Sequence, residues 1–308
     1  MLLVAGLAGC TPTKEGPSSA KKQDGNGADA KKKQQAKDES QEKPSQKKAP
    51  AEGEPAKKQT PAKEQPSKGE TSKQAPTAEA KVSTFAPAED LENQLSDYLK
   101  DMQASVVSEQ EYKDLPEGKI ARDANTVIVI ALTLGMSDQE NKYKACAGAL
   151  MKAAAELAAT KDYASAKKAV EAVVAAAGSA GGGDQLKWEK VAALDQLMKQ
   201  VPLIHTKLKM KTEGARFKSK AKDTAGYSAV IAAIGQASIA DTTQAKNEEE
   251  IQKWRTLCTD MRDTAGAINA AIHKQDRDAA NAAMTRLQQN CDDCHKVFHP
   301  AALGKTGE

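Results

Sequence analysis

The chain has 308 residues, a formal net charge of +3, 39% hydrophobic and only 3% aromatic residues, and a mean hydropathy of −0.63. That length admits two or three domains, but the apolar shortage is concentrated at one end, which excludes a single uniform globule. No run reaches 18 apolar residues, so no transmembrane helix is expected; no basic stripe is interleaved with aromatics, so nucleic acid is not an expected partner.

In chain order, Met1–Cys10 comes first, reading M-L-L-V-A-G-L-A-G-C. Leu7-Ala8-Gly9-Cys10 resembles the lipobox of bacterial lipoproteins, small residues ahead of a cysteine that is lipidated. The resemblance implies lipidation of Cys10, export, and anchoring at the periplasmic face of a bacterial membrane. The stretch is shorter than an export signal and no Lys or Arg precedes it, as expected of a start assigned too far downstream. Thr11–Ala80 carries 15 Lys against 11 acidic residues and 8 of the 12 prolines, and Phe85 is the first aromatic of the chain. A segment so polar cannot bury enough surface to offset chain entropy, so residues 11–85 read as a disordered tether. As a flexible coil it reaches about 50 Å.

From Ala88 onward strand signals are nearly absent and the expectation is all-α. Leu91, Leu95, Leu99 and Met102 line one face of a first helix, which Pro116 and Gly118 terminate. Ala121–Met136 is a second, unusually apolar helix; Ser137 and Asp138 offer a cap for a third over Gln139–Thr160. Asp162 caps a fourth, which ends at Gly178 and the Gly181-Gly182-Gly183 run. The pattern then repeats: Trp188–Met210, interrupted at Pro202; Phe217–Gln236; a polar loop Ser238–Glu248; Glu249–His273; and a last helix from an Asp276 cap to His299, before Pro300. Ala121-Arg122-Asp123 to Gly135 overlays Ala221-Lys222-Asp223 to Gly235, and Asp162, Val170 and Val173 overlay Asp276, Met284 and Leu287. The expectation is two tandem antiparallel four-helix bundles, at 86–183 and 184–308, after the tether.

The chemistry-bearing residues lie near the end. Cys291-Asp292-Asp293-Cys294-His295 is C-x-x-C-H, the attachment motif of c-type haem. Two thiols one helical turn apart can form thioethers to the two vinyl groups of one porphyrin, and the adjacent His can reach the iron. A redox dithiol, which usually opens a helix in a βαβ setting, a zinc site with His299 as a further ligand, and a simple disulfide are the competing readings. The segment Trp188–Pro300 resembles the class II c-type cytochromes, the cytochrome c-prime-like four-helix bundles whose motif lies on the last helix. The resemblance implies one haem c held by Cys291 and Cys294, His295 as proximal ligand, and a haem contact from Phe298. It also implies a sixth iron ligand on the first helix of that bundle: Met198 is the candidate and His205 its rival. Gas-binding relatives have Arg four residues after the haem His, where this chain has His299.

The first half carries no Cys or His over Ala175–Gly183, where a haem motif would fall, so it is expected to be haemless. Cys146 and Cys258 read as buried small hydrophobes, with an inter-domain disulfide as the alternative. Trp188 opens the second half and covers either the haem edge or the core; Trp254 packs at the bundle end, with Tyr143 as its counterpart. No nucleophile elbow, phosphate loop or convergent carboxylate pair points to an enzyme. The function expected is electron transfer between periplasmic redox partner proteins. The alternatives are binding of NO or another diatomic gas at an open iron, and an interaction module with the haem as accessory. The resemblance also implies homodimerisation through the first two helices.

Overall fold

Short apolar stripes at helical spacing, separated by polar caps, dictate a helical chain, and the computed structural model is all-α. It describes residues 80–180, 185–215 and 217–301, with no strand among them. Cys10, the tether up to Glu79 and the Gly181–Gly183 run lie outside the described residues. The helices are α1 (Ala88–Ser105), α2 (Glu109–Lys113), α3 (Lys119–Gly135), α4 (Ala147–Ala158), α5 (Tyr163–Ala177), α6 (Leu194–Glu213), α7 (Ala221–Ser238), α8 (Glu248–His273) and α9 (Arg277–Phe298).

Packing partners repeat along the chain. α3 packs on α1 and α4, and α5 on α4 and α1; in the same way α7 packs on α6 and α8, and α9 on α8 and α6. Between these sets α1 lies on α7, α6 lies on α3, and α3 lies on α7. A two-fold axis would generate this pattern of neighbours. α3 and α7 are central, so they need apolar or small residues all round. Every residue from Asp123 to Leu134 and from Ser228 to Gly235 is buried. Their hydroxyls bond back into their own helices, Thr133 Oγ1 to the Val129 carbonyl at 2.8 Å and Ser238 Oγ to that of Ile234 at 2.8 Å, so burial leaves them satisfied.

Polar side chains tie the two sets together at the crossings. Gln94 on α1 and Gln200 on α6 are both 6% exposed. Gln200 Nε2 donates to Tyr98 Oη at 2.8 Å. Gln94 lies against Gly226 of α7, where a Cβ would stand 2.7 Å from its Cγ. Asp90, 2% exposed, accepts from Asn269 Nδ2 at 2.7 Å and pairs with His273 Nε2 at 2.8 Å, joining α1 to α8. A residue entering α3 must turn sharply, and Gly118 does so at φ 69°.

Ordered packing begins before residue 86. Val82–Thr84 form a 3-10 turn, and Val82 and Phe85 are each 3% exposed. Ser83 donates from its backbone N–H and its hydroxyl to Asp138 at 2.8 and 2.6 Å. Phe85 packs on α8 at Gly266, under the Arg262 guanidinium 5.3 Å from its ring centroid.

Several helix bounds differ from expectation: α1 already ends at Ser105, with the short α2 before Pro116, and α7 starts at Ala221 rather than Phe217. α4 starts at Ala147 rather than Gln139, because residues 138–143 spend their polar groups on non-helical partners. Gln139 Oε1 accepts from Ala88 N–H, Asn141 Nδ2 donates to the Leu134 carbonyl, and Lys142 N–H donates to Glu92 Oε1. α6 starts at Leu194, six residues after Trp188; the stretch before it is held by Ala193 N–H donating to Asn125 Oδ1 at 2.7 Å. α6 also runs unbroken through Pro202. Leu197, Val201, Ile204 and Leu208 are buried along one side while Pro202 faces solvent, so tertiary packing outweighs the cost of about 3 kcal/mol for an interior proline. Two of the expected caps are present, Asp162 accepting from Ser165 N–H and Asp276 from Ala279 N–H, whereas Ser137 and Asp138 cap no helix, α4 following Cys146 with no side-chain cap.

Candidate cofactor-binding site

The interior stripe of α9 reads Ala280, Ala283, Met284, Leu287, then Cys291, Cys294 and Phe298 at the same spacing of three and four. The first four are buried; the last three are half-buried, and no residue of α9 beyond Leu287 is buried. The helix therefore keeps facing inward after the main core has ended.

What it faces is a second, small apolar cluster. Leu194 from α6 and Trp254 and Cys258 from α8 are its buried members. Met198, Ile239, Cys294 and Phe298 pack against them. Trp254 is fixed at both ends of its ring system. Its Nε1–H donates to the Ser238 carbonyl at 2.8 Å, and its face meets Phe298 edge-on, with centroids 5.2 Å apart at 89°. Asn290 Nδ2 donates to the Leu257 carbonyl at 3.1 Å and fastens α9 to α8 at the residue immediately before the motif.

The motif divides between two faces. Asp292 and Asp293, between the cysteines, turn to the polar side: Gln288 Nε2 donates to Asp292 Oδ1 at 2.8 Å, and Lys296 Nζ pairs with Asp293 at 2.8 Å. The Lys296 ammonium and the Gln289 amide hold the Asp293 carboxyl below its ordinary range. Both thiols are free. Burial, then the neighbouring Cys294 and Asp292, pushes the Cys291 thiol up to about 11; burial alone takes Cys294 to about 11. Cys258 is raised further, by burial first and by Cys294 next. At neutral pH all three are protonated.

His295 is half-exposed, its ring 6.0 Å from that of His299, which caps α9. Among the described residues no group of three or more His, Cys, Asp or Glu side chains is arranged to hold a metal ion. Met198 is brought to the cluster that Cys294 and Phe298 also join, and it touches the main core as well. His205 sits two turns farther along α6, half-buried, with Nε2 unpartnered; burial and Lys209 lower its pKa.

Trp188 packs against the main core. Cys146 is 1% exposed in that core, its Sγ toward the carbonyls of Tyr143 and Ala177; Cys258 belongs to the other cluster, and both are free rather than bridged. Sequence reasoning missed Leu194, Ile239 and the approach of Cys258 to Cys294. Only the spacing of Trp254 and Cys258, one turn apart, hinted that α8 presents a face there. It also missed a cleft of about 590 Å³ between α1, α3 and α6. Several polar groups of that cleft pair with one another, Lys119 with Asp123 at 2.5 Å and Gln200 with both Tyr98 and Asp123, while the buried Nε of Arg122 has no partner. No helix among the described residues is long and apolar enough to cross a membrane.

The arrangement thus offers two protonated thiols one turn apart, an adjacent imidazole, and an apolar floor with a thioether in it. Compared with family models, curated proteins and solved structures, the chain matches none.

Proposed function

We propose that the chain is an exported, lipid-anchored c-type cytochrome with one covalent haem, which carries electrons between periplasmic redox partners. The observation that carries this reading is the change along α9: an inward-facing stripe loses its buried packing at Leu287, where the stripe becomes Cys291, Cys294 and Phe298. The donor set fits the group. Cys291 and Cys294 would hold it through thioethers, His295 would be its proximal ligand, and Phe298 and Trp254 would wall it with apolar surface. Bound haem supplies a one-electron iron couple. The chain's own part is to exclude water with Leu194, Trp254 and Ile239 and to offer the Met198 thioether, which favours the electron carrier over the open-iron reading.

The repeat of neighbours among the helices supports the finer architecture, two tandem cytochrome c-prime-like four-helix bundles joined through α1, α3, α6 and α7. In the first the haem motif is replaced by Ala and Gly, so that bundle is a haemless partner of the second. The Leu7–Cys10 motif supports the lipid anchor.

The test is the full chain produced alongside a c-type haem maturation system, with visible spectra recorded oxidised, reduced, and reduced under CO. One covalent haem per chain is expected, with a sharp reduced spectrum unmoved by CO. Met198→Ala should make that spectrum CO-sensitive. No covalent haem ends the cytochrome reading, and two haems end the haemless-bundle reading. A broad wild-type spectrum that shifts with CO transfers the function to diatomic-gas binding.

A further inference from the structure

A third cysteine, on α8, shares an apolar cluster with the second cysteine of the motif. Cys258 is 5% exposed on α8, and Cys294 packs against the apolar cluster to which it belongs. We infer that Cys258 is the disulfide partner of Cys294 in the haem-free chain, so that this third thiol forms a redox-sensitive site beneath the motif.

The geometry of α9 argues against the obvious alternative. Cys291 and Cys294 are both interior to a continuous helix that runs on to Phe298. Cβ atoms three residues apart on a helix stand about 5–6 Å apart, whereas a disulfide needs about 3.5–4.5 Å. A Cys291–Cys294 bond therefore requires α9 to unwind at the motif. Cys258 and Cys294 lie on the adjacent packed helices α8 and α9 and share one apolar cluster, so a bond between them would close across the interface with neither helix unwound. The α9 side of that interface can also adjust, since nothing on α9 past Leu287 is buried.

The step is an ordinary thiol–disulfide exchange. An external disulfide oxidant accepts two electrons and two protons; its S–S bond breaks to two thiols as the Cys258 Sγ–Cys294 Sγ bond forms. The consequence rests on the haem reading: a Cys294 tied to Cys258 has no thiol to give a porphyrin vinyl group, so attachment would wait on reduction. The disulfide itself does not depend on that reading.

The test uses the full chain made in a host without haem attachment, incubated with glutathione disulfide, alkylated, and cut with trypsin without reduction. Cleavage after Arg255, Arg262, Arg286 and Lys296 separates Thr256–Arg262, which holds Cys258, from Leu287–Lys296, which holds Cys291 and Cys294. A cross-linked pair of these two peptides is expected as the dominant product, with fragment ions placing the bond at Cys294. It should survive Cys291→Ala and vanish in Cys258→Ala. A lone Leu287–Lys296 peptide, lighter by two hydrogens, would mean a Cys291–Cys294 bond and overturn the proposal. So would full alkylation of all three thiols. No outcome involves haem, so failure here and failure of the cytochrome reading are separately visible.

Discussion

Replacing Gly235 by Ala should destabilise the fold, although helix propensity alone predicts the reverse. Gly235 lies inside α7 where it crosses α8, and a Cβ there would stand 2.8 Å from the Arg262 backbone nitrogen and 3.1 Å from the Cys258 carbonyl oxygen. Those atoms are helix backbone, so no side chain can rotate away and α8 itself must shift. Overpacking of this kind costs about 1–3 kcal/mol. The better helix former returns about 1 kcal/mol, leaving a net loss of up to about 2 kcal/mol. For a folded region of this size each kcal/mol lowers the melting temperature by about 2–4 °C. Thermal unfolding of the full chain, followed by far-ultraviolet circular dichroism, measures it. Gly178→Ala is the control. It caps α5 at φ −97°, its Cβ would meet nothing closer than 3.7 Å, and its midpoint should stay level or rise slightly. A Gly235→Ala midpoint at or above that of the parent would refute the close-crossing argument.

Other expectations follow from single contacts. Trp254→Phe keeps an aromatic ring beside Phe298 but removes one of the two donors to the Ser238 carbonyl, which keeps the Asp241 N–H at 3.2 Å; denaturant unfolding should show a loss of about 0.5–1.5 kcal/mol. Asp90→Ala takes the charged acceptor from His273 and one of two acceptors from Asn269, which keeps the Ala225 carbonyl at 2.9 Å, and should cost about 1–3 kcal/mol in the same assay. A cost near zero would mean water replaces the carboxylate. The Ser83 hydroxyl, followed by the Ser83 backbone N–H, holds the Asp138 carboxyl below its ordinary range. A depressed folded pKa gives stability that is fully present above the unfolded value, about 3.9, and is lost as pH falls through the folded one. The protection of the Thr84–Ala86 amides, measured relative to the unfolded chain at each pH, should therefore fall below about pH 4, and Asp138→Asn should remove that pH dependence.

Local signals were readable in the sequence, and non-local ones were not. The stripe Leu91, Leu95, Leu99 and Met102 is buried as its spacing implied, and Asp162 and Asp276 cap the helices they precede. The start of α4 was illegible because its competitors are remote: Glu92 and Ala88, some 50 residues upstream, supply the partners that hold residues 139–142 out of a helix. Pro202 misled for a similar reason, since the packing that keeps α6 continuous comes from other helices. Within the candidate site, the pair of cysteines and the histidine announced themselves by spacing. The floor did not. Leu194, Ile239, Trp254 and Cys258 come from three segments, and nothing but the fold brings them under Cys294.

The entry segment of the packed region has a mechanical meaning. Chain tension arriving from the N-terminal side enters at Val82–Ala86. There Ser83 grips Asp138 beyond the end of α3, and Phe85 is wedged between Gly266 and Arg262 of α8. A pull at that point is shared between attachments more than a hundred residues apart in the chain. It loads both before it reaches α1. A module held to a surface by its N-terminus would keep α8, and with it the floor beneath Cys294, in place under load.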